Sequence, residues 1–136
     1  MGLANLVVID TSALLAMLFA EPEALAMAHA VDLDPTRLVS GASVFEASMV
    51  SVARLGSDGL DELDLLLTRL ESEIRPFTAK DIVFVRDAYL RFGKGRHPAS
   101  LNFGDCFAYA LAAAAGQPLL FKGKDFSQTD ITRVDY

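Results

Sequence analysis

Residues 6–18 read LVVIDTSALLAML, and the reading of this stretch decides the fold. Leu6, Val7, Val8 and Ile9 make a short apolar run rich in β-branched residues, the pattern of a strand buried on both faces. Asp10 stops the run, and Thr11 and Ser12 open an apolar segment of helical length, SALLAMLFA. An acid at the carboxyl end of such a strand has two meanings. It caps the following helix, or it forms one wall of a site, because open α/β sheets bind ligands beyond the carboxyl ends of their strands.

The rest of the chain repeats the alternation. PEALAMAHAVD follows as a helix, Leu38–Gly41 as a strand, and Ser43 is the N-cap candidate for the helix VFEASMVSVARL. Leu63, Leu66, Leu67 and Leu70 recur at helical spacing after the turn GSDG, and Glu73–Phe77 is a short strand. Thr78 and Asp81 have capping-box form before AKDIVFVRDAYLRF, which Gly93 ends. A helix from Asn102 to Ala115, a strand PLLF and a last candidate strand ITRV complete the chain. The expected fold is α/β: three layers around a mostly parallel sheet of four to five strands, with residues 1–136 as one domain.

Composition narrows the function classes. A hydrophobic fraction of 52% provides a core and argues against disorder. One cysteine, Cys106, excludes an internal disulfide framework and fits a reducing cytoplasm. The N-terminal apolar run is broken by Asp10 and has no basic n-region, so neither a signal peptide nor a membrane span is expected. A net charge of -6 disfavours wrapping nucleic acid by general electrostatics. Cations cluster locally, however: Arg91, Lys94 and Arg96 beside His97, and Lys122 and Lys124 around Gly123. These five are the candidate RNA contacts, with solvated loops as the plain alternative.

Three further acids occupy positions comparable to Asp10. In VFEASMVSVARL a helical wheel gathers Ser48, Ser51 and Arg54 toward water and leaves Glu46 among Met49, Val50 and Ala53. Asp105 is the only charge on the otherwise apolar helix GDCFAYALAAAA, and it sits in the first turn. Asp125 follows the strand PLLF in the turn KGKD. Each has a plain explanation: a Ser43–Glu46 capping box, an Asn102 or Asp105 cap, and a turn. In a parallel sheet, however, all four positions converge on one edge. Two carboxylates about 4 Å apart repel by about 4 kcal/mol at an effective dielectric near 20. Such a cluster holds protons or a cation, and an all-oxygen set favours Mg²⁺, with Mn²⁺ as a substitute. Mg²⁺ shared with a substrate phosphate suggests phosphodiester hydrolysis, with Thr11, Ser12 and Asn102 in support.

VVIDTSALLAML, SVFEASMV, NFGDCFAYALA and LLFKGKDF resemble, in order and spacing, the four acidic motifs of PIN-domain ribonucleases. The nearest likeness is to the VapC toxins of bacterial VapBC toxin–antitoxin pairs, and it covers nearly the whole chain. The resemblance implies a metal-dependent endoribonuclease acting on structured RNA such as tRNA or rRNA, with Asp10, Glu46, Asp105 and Asp125 as metal-binding acids. Asp130 is the alternative for the fourth acid. It also implies a homodimer and a VapB-type antitoxin that blocks the site. Leu14, Leu15, Met17, Leu18, Phe19 and Met27 are an apolar excess that an amphipathic partner helix would cover, unless all are core.

Rival readings fit less well. A receiver-like phosphoacceptor needs an aspartate at the end of a mid-chain strand, and SEIRPF has none. A dehalogenase-type phosphatase needs a second aspartate where Ser12 stands. A catalytically inactive PIN-like module that binds RNA or protein is the remaining alternative. His29 reads as structural, Cys106 as a packing residue, and Phe92 and Phe103 as core residues rather than base-stacking platforms.

Overall fold

A computed structural model describes residues 5–136. Four strands, β1 (Leu6–Ile9), β2 (Thr36–Ser40), β3 (Ser72–Arg75) and β4 (Leu119–Leu120), form one sheet in the order β3-β2-β1-β4. Every pairing is parallel. The expected last strand around Arg133 is reduced to a single bridge to Leu119, so the sheet has four strands.

Helices α1 (Thr11–Leu18) and α2 (Ala24–Asp32) cross from β1 to β2, and α3 (Gly41–Leu55) and α4 (Asp58–Arg69) cross from β2 to β3. The chain then returns through α5 (Asp81–Phe92) and α6 (Phe103–Ala115) to place β4 on the other side of β1. Strand alternation decides the layers. Val7 and Ile9 pack with Leu14, Met27, Leu63 and Leu67 on one face, whereas Val8 packs with Ala88, Leu101 and Ala108 on the other. This is the three-layer α/β/α arrangement expected. It reverses direction between β1 and β4, and such a switch point opens a crevice at the strand carboxyl ends.

Helix α3 departs from expectation twice. Its N-cap is Ser40, whose hydroxyl accepts the Ala42 N–H, so the helix starts three residues early and no Ser43–Glu46 capping box forms. Its faces differ from expectation in part: Arg54 is exposed as expected, but Ser51 is buried. Ser43, Ala47 and Ser51 point inward, whereas Met49 is 53% exposed and Phe45 65%. Small residues face inward because α4 comes very close: a Cβ on Gly59 would lie 2.5 Å from the Ser51 carbonyl oxygen. The Ser51 hydroxyl donates to the Ala47 carbonyl at 2.6 Å and so tolerates burial. Because backbone cannot yield as a side chain does, Gly59→Ala is expected to destabilise the fold by roughly 1–3 kcal/mol. Urea or thermal unfolding measures this directly.

The apolar residues of α1 and α2 are mostly core. Leu14 and Met27 are fully buried, and Leu15, Met17 and Leu18 pack against the same cluster, so they are not an exposed excess. Phe92 is core as expected, but Phe103 is 84% exposed. Among the described residues no helix is long and apolar enough to cross a membrane.

Candidate active site

Asp10 leaves β1 beside the end of β4, its N–H donating to the Leu120 carbonyl at 3.0 Å. It is both cap and wall. Its carboxylate accepts the Ser12 N–H at 3.0 Å and the Ser12 hydroxyl at 2.6 Å, yet it is only 3% exposed at the switch point. The Ser12 hydroxyl also accepts the Lys122 N–H at 2.9 Å, which ties the segment after β4 to the start of α1. Thr11, buried next to it, donates its hydroxyl to the Ser43 carbonyl at 3.3 Å and anchors α1 to α3 one turn before Glu46. Ser12 and Thr11 are therefore scaffold for the acids.

Asp105 is likewise a capping residue that also belongs to the crevice. Asn102 accepts the Asp105 N–H at 2.8 Å, and the Asp105 carboxylate accepts the Asn102 N–H at 3.1 Å. Glu46 approaches from α3. A Cβ on Gly104 would fall 2.5 Å from both Glu46 carboxylate oxygens, so the glutamate lies against the bare backbone of α6 next to Asp105. Gly104 was not among the residues singled out from sequence. The only signal was a glycine in the first turn of an alanine-rich helix, where helix propensity favours almost any other residue.

The acids sense one another. Burial pushes the Asp10 carboxyl from 3.8 to about 6, outweighing the hydrogen bonds from Ser12, and the Glu46 charge adds to the rise. Burial pushes Asp105 up to about 7, with Asp10, Asp125 and Glu46 all contributing. Asp125, exposed at the start of a short 3-10 turn (Asp125–Gln128), thus lies within electrostatic reach of Asp105. Asp130 does not belong to this group. It accepts from the Tyr109 hydroxyl and pairs with Arg91 at 2.9 Å, which hold its carboxyl below the usual range.

Among the described residues, no three His, Cys, Asp or Glu side chains are drawn together tightly enough to hold an ion as they stand. The donor chemistry nonetheless suits a hard divalent cation: four carboxylates, two with raised proton affinity, and a helix that gives up a Cβ to admit one of them. Because the folded-state values of Asp10 and Asp105 lie above 3.8, their contribution to stability is present at low pH and lost as pH rises from about 4 to about 7. For the fully buried Asp10 this is on the order of 3 kcal/mol. Melting temperatures in EDTA are expected to fall from about pH 5 to 8, and added Mg²⁺ to restore them most at the alkaline end.

Several cations suggested as RNA contacts are already engaged. Arg91 pairs with Asp87 and Asp130, and Lys122 with Glu21 at 2.8 Å and Glu23 at 3.1 Å. Arg96 donates to the Leu90 carbonyl and lies over the Tyr89 ring. Arg91 and Lys122 are structural clasps, whereas Lys94 and Lys124 are exposed. Cys106 is buried with its thiol pushed up by burial, and so it packs.

Comparison with known proteins gives one answer. Residues 7–131 match the PIN domain. Ribonuclease VapC30 of Mycobacterium tuberculosis is 52% identical over 127 residues, covering 93% of this chain and 97% of that protein. Ribonuclease VapC of Mycolicibacterium smegmatis is 50% identical, covering 93% and 98%. The crystal structure of Mycobacterium tuberculosis VapC20, a sarcin-ricin loop cleaving toxin, superposes with a TM-score of 0.76 at 15% identity, covering 94% of this chain and 98% of that one. A second structure, VapBC2 from Rickettsia felis bound to a promoter DNA fragment, gives 0.76 at 14% identity, covering 96% and 97%. With the four-stranded parallel sheet and acids at its switch point, the chain belongs to the PIN-domain family and, within it, to the VapC ribonucleases.

Proposed function

We propose that this protein is the toxin of a type II toxin–antitoxin pair, a Mg²⁺-dependent endoribonuclease that cleaves structured RNA such as tRNA or rRNA in the cytoplasm. The single observation that carries the catalytic reading is that the carboxyls of Asp10 and Asp105 are both pushed up at one sheet edge, chiefly by burial, with the Glu46 charge adding to both and Asp125 to Asp105. These four would hold the ion, and Mn²⁺ would substitute for Mg²⁺. Bound there, the ion would supply an activated water at neutral pH and neutralise charge on the scissile phosphate.

The chain's own residues do the rest. Asp10 is held in one orientation by Ser12, and Ser12 by the Lys122 N–H, so the acid keeps its place without help from substrate. Glu46 reaches the crevice because α6 carries no side chain at Gly104. Asp10 and Asp105, whose carboxyls burial pushes up to about 6 and about 7, would give up their protons to hold a cation.

The antitoxin has a candidate surface that does not use the core of α1. A cleft of about 560 Å³ runs between α1–α2 and α4, lined by Met17, Leu25, Leu66 and Leu70, and Leu25 is 87% exposed. A groove of this kind suits one apolar helix face. A homodimer is supported by the exposed Phe45, Met49 and Val52 of α3, beside Phe77. Residues 1–136 would act as a single catalytic domain.

The test is incubation of purified protein with total RNA, with Mg²⁺ or EDTA, beside an Asp10→Asn variant. Discrete cleavage is expected only for the wild-type protein with Mg²⁺. Cleavage that survives both EDTA and the variant would rule the mechanism out.

A further inference from the structure

We propose that the groove between α5 and the start of α6 is a nucleobase subsite, which takes one unstacked base beside the cleaved phosphate and holds it by stacking without reading its edge. The inference rests on the ribonuclease reading and extends it to how the RNA is chosen.

The groove encloses about 570 Å³. Its walls are nearly all apolar: Val85, Tyr89 and Leu90 from α5, and Leu101, Phe103 and Cys106 from the segment entering α6. Phe103, the first residue of α6, is 84% exposed and meets Phe107 only edge to face, so its ring stands available to a ligand, whereas the half-exposed Tyr89 ring already carries the Arg96 guanidinium. Two cations, Arg86 and Lys94, line the same groove, and among the described residues neither takes part in an ion pair.

Aromatic walls with cations at the edge are what a single-stranded nucleotide requires: stacking for the base and positive charge for the flanking phosphates. The groove lies beside the candidate active site. Asn102 lines it and accepts the Asp105 N–H, and Cys106 follows Asp105 in sequence. A base seated here would bring its own phosphate toward the acids. Because the walls carry few polar groups, base identity would matter little and extrusion of the base from a helix would matter most. Phe103 also borders the face of Phe45, Met49 and Phe77 assigned above to contact between copies, but a second copy is a poorer occupant of the groove itself. A two-fold contact across this groove would bring Arg86 and Lys94 of both copies together without any carboxylate to pair them.

The experiment uses the cleavage-impaired Asp10→Asn protein and hairpin RNAs carrying 2-aminopurine at each loop position in turn. Quenching at one loop position is expected on binding. Adding Phe103→Ala should relieve that quenching and weaken binding roughly tenfold or more, whereas Phe103→Tyr should preserve both. The proposal is overturned if no loop position is quenched, or if quenching and affinity survive Phe103→Ala and Tyr89→Ala. It is also overturned if those variants only shift the protein to a smaller species in size-exclusion chromatography, which would assign the groove to contact between copies. Quenching that depends on Phe103, in a protein whose wild-type form does not cut the same hairpins with Mg²⁺, would sustain the subsite and defeat the ribonuclease reading instead.

Discussion

Asp105→Asn is expected to remove Mg²⁺-dependent RNA cleavage while raising the melting temperature of the metal-free protein at pH 8. The two effects share one cause. Asp105 is partly buried near three other acids, and its carboxyl is pushed up to about 7 although the positive end of α6 favours its charge. Burial and repulsion therefore outweigh the helix dipole. Asparagine keeps both halves of the cap, since its side-chain oxygen still accepts the Asn102 N–H and its own N–H still donates to Asn102. What it loses is the charge, which destabilises the empty site and is needed by the filled one. A loss of about 4 kcal/mol of charge stabilisation corresponds to roughly a thousandfold fall in rate. Single-turnover cleavage and thermal melts in EDTA read the two effects separately. Retained cleavage, or a lowered melting temperature, would mean that Asp105 serves only as a cap.

Gly104→Ala is the second large effect, and it separates catalysis from folding. The added methyl would lie 2.5 Å from both Glu46 oxygens, an impossible contact. The carboxylate is the end of a flexible side chain, so it swings away and the fold survives. Alanine is also the better helix former, which offsets any strain in α6. Misplacement of a catalytic group by about 1 Å is worth on the order of a hundredfold in rate. The expected result is unchanged or slightly higher stability, a rate lower by about that factor, and weaker Mg²⁺ binding by titration calorimetry. Full activity would show that Glu46 acts from another position.

These expectations depend on different parts of the molecule, and not all were visible in the chain. The switch from β1 to α1 at Asp10 was legible because a β-branched run followed by a hydroxyl-capped apolar helix has few other readings. The Asn102–Asp105 cap was legible for the same local reason. The faces of α3 were misread in part, because the wheel assigns serines to water and cannot see α4 arriving close enough at Gly59 to require small side chains at Ser51 and Ala47. Lys122 looked like a free cation because its partner Glu21 lies 101 residues away; for Arg91 only the Asp87 pair was local, and its closer partner Asp130 lies 39 residues away.

The sequence by itself determined the order of elements, the parallel sheet and the four acids at strand ends and helix starts, all of which follow from hydrophobic period and capping chemistry within a few residues. Tertiary structure alone decided that Asp130 is held by Arg91 and Tyr109 while Asp125 lies within electrostatic reach of Asp105, that Gly104 admits Glu46, and that Phe103 lies open beside Arg86 and Lys94. Those outcomes depend on which helix lies against which strand. Packing sets that over distances no local pattern reaches.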